Sequence, residues 1–422
     1  MPMKDGVIIV GAGAAGCSVA YHLARRGISS QIIDREGIAN RASGKAWGIW
    51  SYPPENWSST DVDVTEDRLP MRTDTQFLGE RAQRREYQQR VSDFYWLGYH
   101  RLPEAIRELE ERGGINVDYR EFPIVRIAVS EEVEKRYREF FSAIRSAGYY
   151  EGDWREPDEL QAIFPNINPQ IKGQIKGALC LPNFKVEPYK YTLCLAQAAE
   201  KMGCTIRSGD VVGFGSQGSR VTSVVLASGT EIQATEVVLA MGPWIGQATS
   251  WLGKELPVQL YKSQCLRVEL PRPFPPYHID YISGTVEGFI VPEVGNQVLL
   301  EVEKKLPDVV TNFDSSLTEE SKLLAIEMAT NLFPEIENGS VVEHRGDLEC
   351  WAPGLRMRPV LGRHPEWDNV YLASRFGPCG IMLSLSAGQL MAELIARGGQ
   401  APYRVEKLLE TLSPVELKEN KD

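Results

Sequence analysis

The stretch Val7-Ile8-Ile9-Val10-Gly11-Ala12-Gly13-Ala14-Ala15-Gly16 decides the fold. Four apolar residues in a row, without polar alternation, suit a strand buried on both faces of a parallel sheet. The glycines that follow each meet a steric demand of a phosphate-binding turn. Gly11 permits the tight turn, Gly13 lets a pyrophosphate reach the backbone, and Gly16 lets the next helix pack on the strand. Ala14 and Ala15 lie within the same cofactor-contacting turn.

Working outward, Val19, Ala20, Leu23 and Ala24 recur at helical spacing over 17–26, and Gly27 supplies the stop. Gln31-Ile32-Ile33-Asp34 then reads as a second strand ending in an acid, about twenty residues past the glycines. A carboxylate there accepts hydrogen bonds from ribose hydroxyls, so Asp34 is the expected ribose ligand, with Arg35 beside it in the cofactor site. A lone GxGxxG is weak. Strand, loop, helix, stop, second strand and acid in the required order favour a bound dinucleotide over a glycine-rich turn in an ordinary α/β unit. The unit alone does not separate FAD from NAD. The uncharged residues 6–24 after Lys4 mimic a signal peptide or membrane span, but their glycines have this better use.

A chain of 422 residues points to two or three domains, with two as the working number. Its net charge of -11, without any Lys/Arg-rich run, works against nucleic acid and anionic membranes. The seven cysteines are scattered and form no CxxC, which fits reduced thiols and a cytoplasmic location. The five histidines never fall near a second His or Cys at ligand spacing, so no metal site is expected.

Ala42-Ser43-Gly44-Lys45-Ala46-Trp47-Gly48 resembles the loop that crosses the pyrophosphate and flavin in the D-amino-acid oxidase (DAO) superfamily. Its small residues and amides make an anion nest. Three later stretches resemble the sarcosine oxidase and glycine oxidase branch, in the same order. Val186-Glu187-Pro188, then a helix over 191–202 and Cys204-Thr205-Ile206, resembles the segment that clasps the adenine side, with Val186 as contact. Glu236-Val237-Val238-Leu239-Ala240-Met241-Gly242-Pro243-Trp244 resembles the strand and turn closing over the cofactor, giving Gly242 and Trp244. A strand over 369–374, then Arg375-Phe376-Gly377-Pro378-Cys379-Gly380 and a helix to Ile395, resembles the last strand, flavin loop and closing helix. Helix amides at Gly380, Ile381 and Met382 would face the flavin N1/O2 edge.

The resemblance implies FAD, non-covalently held, and an α/β fold with a Rossmann-type, glutathione-reductase-like FAD-binding domain assembled from discontinuous segments. The second, α+β substrate domain would have a mostly antiparallel sheet. Segments 1–50, 178–250 and 342–400 are expected in the first, 51–177 and 251–341 in the second, and 401–422 as a terminal helix and tail. Strand candidates for the second domain are 264–270, 289–292 and 297–300, the last two as a hairpin. Helices are expected around 86–112 and 131–147, with solvated faces.

The implied reaction takes a hydride from the carbon beside an amine nitrogen of an amino acid or N-substituted amino acid, giving an imine that hydrolyses to an oxo acid. It needs a cation for the substrate carboxylate and an apolar wall. Arg356, in Trp351-Ala352-Pro353-Gly354-Leu355-Arg356, resembles the arginine of a glycine-oxidase-type segment; the continuation departs from the family pattern, so Arg358 is the second choice. Trp47 and Trp50 are preferred wall residues, ahead of Tyr52, Tyr261 and Phe289. The lysine that anchors substrate in sarcosine oxidases reads Met382 here, and their Gly-His-Gly reads Pro378-Cys379-Gly380. Their oxygen-activating lysine would fall near Leu299 or Leu300, with Lys304 and Lys305 too far along, so a quinone or protein acceptor stands beside O2. Cys350 lies several residues before the point where some relatives attach flavin, which favours a buried thiol. His278, His344 and His364 read as structural. Two other functions share the pattern: an FAD-linked 2-hydroxy acid dehydrogenase, which benefits from a base near the alcohol, and an inactive flavin-binding scaffold.

Overall fold

The computed structural model describes residues 6–51, 94, 102–146, 151–283, 286–304, 309–352 and 359–400. Two large sheets organise them. The first has six strands in the order Val360–Arg363, Val370–Ser374, Glu236–Leu239, Val7–Val10, Ser30–Asp34 and Thr205–Ser208. Every neighbouring pair is parallel except the first.

Val7–Val10 lies in the middle of this sheet and is buried throughout. One face carries the helices Ala14–Ala24, Pro188–Lys201 and Gly380–Ala396, and the other a three-stranded sheet over 211–233 with the segment 242–252. Cover on both faces accounts for the unbroken apolar run. Gly380–Ala396 belongs to a segment long and apolar enough to cross a membrane, but 72% of that segment's most apolar window is buried inside the fold. It crosses Ala14–Ala24 so closely that a Cβ on Gly388 would lie 2.2 Å from Ser18 Oγ.

The second sheet runs Val309–Val310, Gln259–Glu269, Gln297–Lys304, Val286–Pro292, His278–Ser283, Ile124–Ala128, Gly177–Leu181 and Asp153–Arg155, with Ser340–Trp351 on the free side of Gln259–Glu269. Its pairs are antiparallel except His278–Ser283 with Ile124–Ala128. The helices Pro157–Ile163 and Glu319–Leu332 cover one face through an apolar core. The other face meets the loop that follows Ser43, where Arg345 donates to the Ala46 carbonyl at 3.0 Å.

The fold is therefore mixed α/β, a parallel nucleotide-type sheet beside a mostly antiparallel one. The boundaries expected at 178 and 342 need correction, because both fall inside strands of the second sheet. Gly177–Leu181 pairs with Ile124–Ala128, and Ser340–Trp351 pairs along its length with Gln259–Glu269. Ser340–Trp351 reaches the cleft at its carboxyl end without a break, so no change of composition marks the crossing. The expected helix over 86–112 is seen as Leu102–Gly113; of its earlier part only Phe94, buried in the helical core, is among the described residues, and the terminal helix in 401–422 lies outside them.

A Cβ on Gly16 would stand 2.0 Å from the Gly11 carbonyl oxygen and 3.3 Å from Ile9 Cγ2. Since the nearest obstacle is backbone, Gly16→Ala is expected to cost about 2 kcal/mol or more of stability, read as a lower urea midpoint of the apoprotein.

Candidate cofactor and substrate site

A cleft opens at the carboxyl ends of the parallel strands, where Val10, Ile33, Ala240 and Ala373 line it. Ligands of open α/β sheets bind at this end. Gly11 adopts φ +111°, and a Cβ there would meet the Ala240 carbonyl at 2.3 Å, so the turn closes only on glycine. Gly13 is the N-cap of Ala14–Ala24 and has no side chain to cap it. Instead Ala14 N–H donates to Ser43 Oγ at 2.9 Å. This helix N-terminus, lining the cleft through Gly13, Ala14 and Ala15, presents the positive end of a dipole to an anion.

Asp34 is held on both oxygens. Oδ2 accepts from Ala12 N–H and Oδ1 from Glu36 and Gly37 N–H, each at 2.8 Å. A carboxylate has about four acceptor positions, so Asp34 braces the turn and retains capacity for hydroxyls.

Beyond it lies an arrangement the sequence reading only half found. Arg35 and Arg41 place their guanidinium carbons 4.7 and 5.1 Å from the Trp244 ring centre. Both arginines also pair with Glu36. The hydrogen bond from Arg41 holds the Glu36 carboxyl below its usual range. Arg41 and Glu36 were missed because the partner that gathers them, Trp244, lies two hundred residues away in sequence. Two more missed features line the cleft: the Lys45–Asp347 ion pair at 3.0 Å, with Asp347 buried, and Arg375. Arg375 and Ala39, both cleft residues, sit at φ +60° and +55°, a left-handed conformation costing about 1–2 kcal/mol for a side chain.

Gly242 also lines the cleft, which away from Asp34 meets Gly377, Pro378, Gly380 and Ile381, the last two opening the helix Gly380–Ala396. A Cβ on Gly242 or Gly380 would touch nothing within 4 Å, so these glycines border open space. A cradle of backbone runs from one helix N-terminus to another, and this fits a dinucleotide carrying a flat ring system.

Of the remaining expected cofactor residues, Gly11, Gly13, Ala14, Ala15, Asp34, Arg35 and Ser43 line the cleft, whereas several others do not. Gly16 packs helix on strand, and Gly44 packs on the Ala39 carbonyl, 2.0 Å from a Cβ it lacks. Val186 must be corrected: it is fully buried and its amide donates to the Gly48 carbonyl at 2.8 Å, so these two residues clasp each other. The chain beside Asp34 is instead Gly209-Asp210-Val211, entering after the strand Thr205–Ser208. Cys379 is buried in the core, and Met382 lies outside the lining, offering its carbonyl to Trp50.

Trp50 is a second correction. It is 1% exposed, donates Nε1–H to the Met382 carbonyl at 2.9 Å and sets its edge against Tyr191. In the strand Ile49–Ser51 successive side chains alternate, so Ile49 turns to the second sheet and Trp50 into the helical core. Trp47 does meet the second sheet, with Phe289 at 4.7 Å and His278 at 6.2 Å between ring centres. Tyr261 stacks on Trp351 instead. Tyr52, Arg356 and Arg358 lie outside the described residues. Cys350 lines the cleft as a buried thiol, pushed up to about 11 by its burial. Leu299 is buried against Cys265 and Val291.

A family model described as DAO, FAD-dependent oxidoreductase, matches residues 6–394. A glycine oxidase of Geobacillus kaustophilus is 25% identical over 400 residues, covering 94% of each chain. Among solved structures, a glycine oxidase from Geobacillus kaustophilus superposes with TM-score 0.78 at 23% identity over 96% of this chain and 97% of that one. An L-proline dehydrogenase from P.horikoshii gives 0.74 at 18% identity, covering 99% of both. These structural likenesses establish the fold.

Asp34→Asn removes the charge that three amides share and is expected to weaken FAD binding by roughly tenfold or more. Titration of the apoprotein, followed by quenching of flavin fluorescence, measures this; an unchanged Kd would remove Asp34 from the cofactor site.

Proposed function

Because the chain belongs to the DAO family of FAD-dependent oxidoreductases, we propose that it oxidises an amino acid or N-substituted amino acid at the α carbon, giving an imine that water hydrolyses to an oxo acid. When bound, FAD supplies the acceptor for the hydride. The protein's own share is to hold, orient and enclose. The amides at Gly13 and Ala15 would take the pyrophosphate, with the Ser43 hydroxyl, which accepts from Ala14 N–H, free to donate to it; Asp34 would take the ribose, and Arg35 and Arg41 brace Trp244 nearby. The helix starting at Gly380 opens onto the cleft, and its dipole would favour negative charge on a ring system held there. The attachment is non-covalent, as the protonated Cys350 thiol supports.

The observation that carries this reading is where the cleft ends. Ser263 and Asp347 line it from the second sheet, and Ser263 donates to buried Glu301 at 2.8 Å. The cradle thus abuts a sheet face whose carboxylates are shut away from water, the kind of place where a small polar substrate is oriented. Trp47 and Phe289 form its apolar wall. Arg356 is the proposed carboxylate fork, with Arg358 as second choice; both follow shortly after the strand that carries Asp347 and Cys350 to the cleft. The same geometry supports a division of the chain into a cofactor domain and a substrate domain. Leucines at 299 and 300 leave a quinone or a protein beside O2 as acceptor, and seven free cysteines support a cytoplasmic location.

The test is anaerobic mixing of FAD-loaded protein with a panel of amino acids and N-methyl amino acids. Bleaching of the flavin band by at least one, with ammonia or methylamine released on turnover, is expected; indifference to the whole panel, or bleaching by 2-hydroxy acids alone, overturns the proposal. With the best substrate, Arg356→Ala is expected to raise KM roughly 10- to 100-fold, the span of a lost charged hydrogen bond.

A further inference from the structure

The face of the second sheet that meets Trp47 carries a cross-strand row of directly opposed residues: Arg345, Cys265, Glu301, Phe289, Asp280 and Arg126. Opposed residues point to the same side of a sheet. The charged members are at most 7% exposed, so this is a buried polar face. Its charges occur in opposite-sign company. Arg126 lies 3.6 Å from Asp280, and the neighbouring Lys185 lies 3.0 Å from Glu293.

His278 is the exception. It lies two residues before Asp280 on the same strand, hence on the same face, and is 2% exposed. Its ring stands 6.2 Å from Trp47, edge on, and 6.1 Å from Phe289. Neither ring nitrogen has a hydrogen-bond partner among the described residues. A buried donor or acceptor left unsatisfied costs about 1–3 kcal/mol, and such groups in native proteins call for an explanation, such as a part in the reaction or a partner from outside the chain. Burial, with Arg126 and Lys185 nearby, lowers the imidazole's pKa to about 3, so the ring is neutral. It offers one N–H and one lone pair. Such a group is a weak base at neutral pH, which argues for recognition over proton removal.

Resting on the substrate class proposed above, we infer that His278 hydrogen-bonds an uncharged polar group, a hydroxyl or amide, on the side chain of the amino acid substrate. The neighbouring ion pairs exclude the alternative of an ionic substituent, since Arg126 and Lys185 already have carboxylates beside them. Phe289 and Trp47 flank the imidazole, so they are the apolar side chains that a substituent reaching it would pack against. The preferred substrate is therefore larger than glycine and polar at its far end.

Matched substrate pairs of near-equal volume test this on FAD-loaded enzyme: glutamine with its apolar counterpart norleucine, and homoserine with norvaline. Wild type is expected to favour the polar member by about tenfold in kcat/KM, mainly through KM. His278→Phe should erase the preference by slowing the polar member alone, while the apolar member and the Kd for FAD stay unchanged. His278→Asn, which keeps a donor and an acceptor, should restore part of it. Equal rates for both members with wild type, or an equal loss on both with His278→Phe, overturns the inference. The wild-type comparison needs no variant to fold. Bleaching by the apolar member without a preference defeats only this assignment, whereas no bleaching by any amino acid defeats the substrate class beneath it.

Discussion

The structure depends on one close approach of bare backbone. The turn after Val7–Val10 passes so near the next strand that a Cβ on Gly11 would lie 2.3 Å from the Ala240 carbonyl, and one on Gly16 would lie 2.0 Å from the Gly11 carbonyl. Those contacts fix the depth of the cleft floor, the start of Ala14–Ala24 and the spacing of the strands beneath. Asp34, Ser43 and Gly242 are useful because this floor is fixed first. Asp34 draws in the amides of Ala12, Glu36 and Gly37, and Ser43 takes the amide of Ala14, so segments remote in sequence close on one rigid turn.

A second constraint joins the two sheets. Ser340–Trp351 pairs along Gln259–Glu269 and continues to the cleft, and the loop after Ser43 is tied to it by Lys45–Asp347 and by Arg345 to the Ala46 carbonyl. Asp347 is buried, so the pair is screened little, and breaking it would leave an uncompensated carboxylate. The loop that crosses the cradle is thereby fastened to the sheet facing it. Strain at Ala39 and Arg375 sits at the cradle's rim, where the surrounding packing can maintain it.

What could be read in the sequence follows from how local each cause is. Val7 to Asp34 was legible because strand, turn, helix and acid answer to neighbours within thirty residues. Gly242, Trp244, Gly377 and Gly380 were legible by motif, since a turn that needs glycine keeps its signature anywhere. Trp50 was misplaced because its sequence fixes the strand but leaves open which side of it faces the cleft, and Val186 because the segment beside Asp34 is set by how Thr205–Ser208 pairs with Ser30–Asp34, a contact remote in sequence. In Ile49–Ser51 a shift of one position exchanges core for cavity. Arg41 depends on Trp244 and Lys45 on Asp347, pairings that exist only after the chain has folded back.

The polar row on the second sheet shows the deepest limit of strand patterns. His278 and Asp280, or Glu301 and Glu303, alternate with apolar neighbours as residues do on a sheet with one face in water. Taken locally, such strands predict that Ile279, Val298 and Leu300 face the core and that the polar set is solvated. The first half holds, for these three pack under the helix Glu319–Leu332. The second fails because the first sheet's loop covers the opposite face, and a face composed for water then encloses charges and an imidazole without a partner among the described residues. Evolution toward stability alone would replace that row with aliphatics, since a buried ion pair rarely outperforms good packing. A polar row beside a cofactor cradle costs stability that a contact with substrate, as proposed for His278, would offset.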